Sequence, residues 1–249
     1  MNDFVQLSVA ASVCTVLGAL PALLFKHVSH RGKDILLAYA AGIMVAASTY
    51  GLIPSALRLS NIYVLTAGIL LGTLLLTVLE LYIPHADPDH SLNKSQRLAP
   101  PSNGSRYSLL LMAMVLHNLP EGLSTGVSLA SKDTDLGWLV TLAIGLQNVP
   151  EGFLVALFLI TQGTSRSLAL LYSVLIASTE WLASVAGYLF ASRLDFLIPY
   201  GLAFAGGAML YVVYKELIPE SHGDGNEIPA TIAFIVGTIT MIGLTTLLE

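Results

Sequence analysis

His117-Asn118-Leu119-Pro120-Glu121-Gly122 and Gln147-Asn148-Val149-Pro150-Glu151-Gly152 are two copies of one polar, proline-containing hexamer, thirty positions apart, each set inside an otherwise apolar stretch. A carboxylate at mid-depth in a bilayer costs several kcal/mol, on scales that start at about 2.5, so such a residue reads as functional and calls for a partner. On a helix the residue four positions earlier lies almost directly over it, which pairs His117 with Glu121 and Gln147 with Glu151. Each helix therefore offers a face with two ligands.

The surroundings fit a membrane interior. The chain has 249 residues, 55% of them hydrophobic and 11% charged, with a mean hydropathy of +0.75. Soluble domains carry roughly 25% charged residues. Cys14 is the only cysteine, which excludes a disulfide framework and a thiolate-rich metal site. Met1-Asn2-Asp3 lacks the basic region of a cleavable leader, and the first apolar run is long enough to span, so it is expected to stay as a helix.

Apolar stretches of spanning length run approximately from Phe4 to Phe25, Ile35 to Leu57, Ile62 to Ile83, Tyr107 to Ala130, Leu136 to Thr161, Leu168 to Phe190, Phe196 to Pro219 and Ile228 to Leu248, eight in all. The expected fold class is therefore all-α: a polytopic membrane protein, one transmembrane domain over residues 1–249. Lys26, Arg31, Lys33, Lys94, Arg97, Arg106 and Arg166 fall on one side of that arrangement and only Arg58, Lys132 and Arg193 on the other, so the positive-inside rule puts both termini outside. The connection over about 84–106, rich in Pro, Ser, Asn and charge, reads as a cytoplasmic linker. His27, His30, His85, His90 and His222 share that inner face, leaving His117 as the one histidine at membrane depth.

A second echo concerns the second and seventh spans. Gly42-Ile43-Met44 followed by Leu52-Ile53-Pro54 matches Gly207-Ala208-Met209 followed by Leu217-Ile218-Pro219 with identical internal spacing. These spans cross in opposite directions, the pattern of inverted repeats whose interface holds a transporter's substrate site. The chain thus reads as three helices, a central pair carrying the hexamers, and three inverted helices.

Pro120 and Pro150 lack an N–H and free the carbonyls of Leu116 and Leu146, so both helices are expected to kink. Facing one another, they would converge an imidazole, an amide oxygen and two carboxylates. Two negative charges match a divalent cation, and mixed nitrogen and oxygen ligands without sulfur suit Zn(II), Fe(II), Mn(II) or Cd(II). Asn118 and Asn148 point to a neighbouring position, where they are either ligands or interhelical hydrogen-bond partners. Glu180, midway along the sixth span, either completes a second adjacent site there or serves in a salt bridge or proton path. The Gly206-Gly207 region reads as close helix packing.

The paired hexamers on spans four and five, the Gly-x-Met and Leu-Ile-Pro-Glu of span seven and the eight spans together resemble the ZIP family of divalent-metal transporters, particularly its prokaryotic-type members. The resemblance implies a three plus two plus three bundle in the cytoplasmic (inner) membrane that carries Zn(II), often with Fe(II), Mn(II) or Cd(II), towards the cytoplasm. It also implies a binuclear centre: His117, Glu121, Gln147 and Glu151 at the first metal, and Asn118, Asn148 and Glu180 holding or bordering the second. The sequence departs from the family pattern at Gln147, where many members have His, at Asn148, where some have Asp, and at Lys215, where an acidic residue or His is frequent. A cation at Lys215 would repel the substrate unless Glu216 neutralised it or the long stem snorkelled away.

Release is expected past Glu216, Glu220 and His222. The metal is then a substrate, with no prosthetic group, no nucleic acid partner, and a lipid bilayer around small-residue helix faces that suit a homodimer. No ATP-binding loop is present, so a gradient or voltage must drive the ion. The competing class is an intramembrane metal-dependent hydrolase with Glu121 as base. It lacks a His-Glu-x-x-His run and a second histidine at depth.

Overall fold

The computed structural model describes residues 2–25, 29–82, 103–131, 134–223 and 225–248, and among them there is no strand. Eight long helical rods account for nearly all of these: α1 (Asn2–Ala22), α2 (His30–Leu59), α3 (Ile62–Tyr82), α4 (Asn103–Ala130), α5 (Thr134–Thr161), α6 (Arg166–Arg193), α7 (Asp195–His222) and α8 (Glu227–Leu248). Seven of them, all but α4, are long and apolar enough by themselves to cross a membrane. The protein is an all-α polytopic membrane protein, as its composition demands. Asn103 to Arg106 form the first turn of α4 rather than the end of a linker; the rest of that stretch, with His85 and His90, lies outside the described residues, as does His27.

Short polar residues set the starts. Ser29 Oγ accepts from Gly32 N at 3.1 Å and Ser165 Oγ from Leu168 N at 3.3 Å, while Asn61 Oδ1 accepts from Tyr63 N and Val64 N at 3.0 and 3.1 Å. Each satisfies amide groups that a first helical turn leaves without partners. Gly163, at φ 91°, turns the chain out of α5, where a side chain would meet the left-handed backbone penalty.

The helices pair by a simple rule. The most extensive contacts are α4 with α6, α1 with α5, α2 with α8, and α3 with α7. Exchanging α1 with α6, α2 with α7, α3 with α8 and α4 with α5 maps this set of pairs onto itself, as an inverted repeat requires. The register of the exchange is constant. A Cβ on Gly42 would stand 2.1 Å from the Phe234 carbonyl oxygen, and one on Gly207 would stand 2.6 Å from that of Ile69. Gly42 and Gly207 are 165 positions apart, and so are Ile69 and Phe234. The hexamer glycines obey the same rule, since Gly152 lies against the carbonyl of Thr15 and Gly122 against that of Glu180, again 165 positions apart. Small residues let backbones approach in a setting where apolar side chains gain nothing over lipid tails.

The α-helical backbone runs unbroken through Pro120 and Pro150, whereas α2 and α7 widen into π-helical turns at Ala47–Leu52 and Val213–Leu217, just before Ile53-Pro54 and Ile218-Pro219. A proline at 54 or 219 removes the hydrogen bond to the carbonyl four residues back, and a wider turn relieves the clash of its ring. The local irregularity therefore sits on the helices flanking the central pair.

The tight glycine contacts give a stability test. Gly42→Ala and Gly237→Ala, whose new methyl groups would stand 2.1 and 2.2 Å from carbonyl oxygens of the facing helix, are expected to lower stability by about 1–3 kcal/mol each. Gly243→Ala, with nothing within 4 Å, should be neutral; equal thermal midpoints for all three in detergent would contradict the packing described.

Candidate metal centre

The two hexamers meet at the middle of the bundle because α4 and α5 are antiparallel neighbours, each bearing its polar residues four positions apart. His117, Asn118, Glu121, Gln147, Asn148, Glu151 and Glu180 are all buried, Glu121 and Gln147 completely. Gln147 Nε2 donates across the helices to Glu121 Oε1 at 2.6 Å, so the glutamate of one hexamer is joined to the first residue of the other.

A second polar layer lies alongside. Asn148 Nδ2 donates to Glu180 Oε2 at 2.8 Å and also to the Ala11 carbonyl at 3.1 Å, and the Ser12 hydroxyl lies beside the same carboxylate. Asn118 Nδ2 donates to the Ile176 carbonyl at 3.1 Å. Ala11 and Ile176 are 165 positions apart, so the two asparagines make equivalent ties to α1 and α6. Asn148 and Glu180 come together as expected, and Asn118 is committed to the backbone of α6.

The three residues expected on the release path divide. Glu216 Oε2 is 3.1 Å from His117 Nε2, which places it against the centre itself. Glu220 pairs with Lys33 at the start of α2, and His222 Nδ1 lies 2.9 Å from the Ile218 carbonyl. Lys215 is neutralised by a residue other than the expected Glu216: its Nζ is 2.9 Å from Glu80 Oε1. Glu80 was missed because it ends the third apolar run, where an interfacial charge draws no notice. Ser12 and Thr15 were missed too, although Ser8, Ser12 and Thr15 form a polar stripe at helical spacing on α1, and all three are buried.

Among the described residues no three His, Cys, Asp or Glu side chains stand close enough together to hold a metal by themselves. What the two hexamers hold instead is buried oxygen in need of a partner. Glu121 Oε2, Gln147 Oε1 and Glu151 Oε1 are buried acceptors without a hydrogen-bond donor among the described residues. Buried acceptors left unpaired are costly, and carboxylate and amide oxygens are donor types that suit a hard or borderline divalent ion.

Comparison with known proteins adds an independent line. The model of a family described as ZIP zinc transporter matches residues 82–245. The chain is 37% identical over 249 residues to the zinc transporter GufA of Myxococcus xanthus, covering 95% of each chain. It is 36% identical over 257 residues to the zinc transporter ZIPB of Bordetella bronchiseptica, covering 96% of this chain and 79% of that one. With the zinc transporter ZupT of Escherichia fergusonii it shares 32% identity over 217 residues, 86% of this chain and 84% of the relative. The family match runs through both hexamers and through α6 and α7 packed on them, and on these likenesses along nearly its whole length the chain belongs to the ZIP zinc transporter family.

Proposed function

We propose that this protein moves a divalent cation, Zn(II) foremost with Fe(II), Mn(II) or Cd(II) as alternatives, into the cytoplasm through the polar centre between α4 and α5. The observation that carries the proposal is the trio of buried, unpartnered oxygens on Glu121, Gln147 and Glu151. Carboxylates placed together in a low-dielectric interior repel one another and lose hydration, and a doubly charged ion offsets both costs. His117 adds a nitrogen ligand, and Glu180 with Asn148 and Asn118 borders a second position.

Transport also requires release. Gln147 gives its Nε2 to Glu121 and keeps its Oε1 without a donor, so an ion that takes both groups displaces a single hydrogen bond that re-forms when it leaves. Amide oxygens are weaker ligands than imidazole or thiolate, which suits a site that must let its cargo go. With both termini outside, the voltage across a cytoplasmic membrane favours inward movement of a divalent ion by about 4.6 kcal/mol per 100 mV, from about 2.3 per charge.

Purified protein in liposomes loaded with a metal-sensitive dye tests this directly. Wild type should admit Zn(II), and Glu121→Ala should abolish entry; undiminished influx in that variant would reject the site. Asn148→Ala, which removes the 2.8 Å hydrogen bond to Glu180, should weaken zinc binding measured at equilibrium by about 10–100-fold, the usual cost of losing a group that orients a ligand. Unaltered affinity would remove Glu180 and Asn148 from the site.

A further inference from the structure

Glu80, in the last turn of α3, is bracketed by two groups from α7. Lys215 Nζ stands 2.9 Å from Glu80 Oε1, and the Tyr211 hydroxyl donates to Glu80 Oε2. Tyr211 and Lys215 lie four positions apart and so share one face of the helix. The next residue, Glu216, lies 3.1 Å from His117 Nε2. All of this occurs where α7 widens into its π-helical turn, Val213–Leu217. Two successive residues of α7 thus reach the buried centre and the more exposed Glu80, one contacting His117 and the other Glu80. Side-chain exposure rises along the line, from 9% at His117 to 22% at Glu216 and 53% at Lys215.

We propose that Lys215 is a tethered cation that sets how firmly the mouth of the path holds its cargo. Its ammonium occupies the carboxylate of Glu80, so a divalent ion leaving the centre past Glu216 meets this cluster with one negative charge fewer than it would otherwise carry. The attraction between a carboxylate and a doubly charged ion in a partly hydrated setting is strong enough that one added negative charge retards release about tenfold. The inference rests on the transport reading above, since it assigns Lys215 a part in delivering that cargo. The same position on α2, 165 residues earlier, is Tyr50, so the device belongs to one half of the repeat only.

The test compares wild type, Lys215→Arg, Lys215→Gln and Lys215→Gln combined with Glu80→Gln, using radioactive zinc binding to the purified protein and dye-reported zinc influx into liposomes. Lys215→Gln should bind zinc about tenfold more tightly at a site that wild type fills only weakly, and should lose several-fold in influx at saturating zinc. Adding Glu80→Gln should return both readings towards wild type, and Lys215→Arg should match wild type throughout. Unchanged binding and influx in Lys215→Gln would overturn the proposal, and so would a slowed variant that Glu80→Gln fails to restore. Wild-type liposomes that admit no divalent metal would instead overturn the transport reading, while the binding comparison still decides the role of Lys215.

Discussion

The hydrogen bond from Gln147 to Glu121 is the constraint around which the interior is arranged. A completely buried carboxylate needs a donor or a cation, and here an amide on the opposite helix supplies the donor. The same solution recurs one layer away, where Asn148 donates to Glu180. In both places the donor is a side-chain amide, which carries an oxygen of its own into the same layer. A lysine or arginine in the role of Gln147 would instead bring a fixed positive charge to Glu121.

The repeat explains where the centre sits, and its asymmetry explains what it can do. Contacts of α1 with α5 and of α4 with α6 are related by the exchange of halves, so the glycines of both hexamers seat against equivalent carbonyls. The side chains at those carbonyls differ, however: Glu180 on α6 corresponds to Thr15 on α1, and His117 on α4 to Gln147 on α5. A symmetric backbone thus presents an asymmetric set of charges. Polar contacts also gather towards the end where α2, α7 and α8 meet: Lys33 pairs with Glu220, and Asn226 donates to Asp34.

Much of the centre was legible because a charge inside an apolar run is conspicuous in one dimension. Burial of His117, Asn118, Glu121, Gln147, Asn148, Glu151 and Glu180 follows from the hydropathy of their surroundings and the length of the spans. The echo between Gly42 and Gly207 pointed to the inverted halves for the same reason, since close helix packing leaves small residues at fixed spacing. The π-helical turns were not legible, because a missing N–H says that a hydrogen bond is lost without saying how the backbone absorbs the loss. The α-helix continues through Pro120 and Pro150, while α2 and α7 widen before Pro54 and Pro219.

Reading along the chain is enough to find eight apolar helical stretches, the ones that carry acid at depth, and a set of donors of the kind a divalent cation suits. Partnership needs the folded molecule: it shows that Gln147 serves Glu121, that His117 reaches Glu216, and that Glu80 holds Lys215. The physical reason is that helical periodicity fixes the face on which a side chain lies, whereas its hydrogen-bond partner depends on how two helices cross, and glycine contacts scattered along the chain set that crossing.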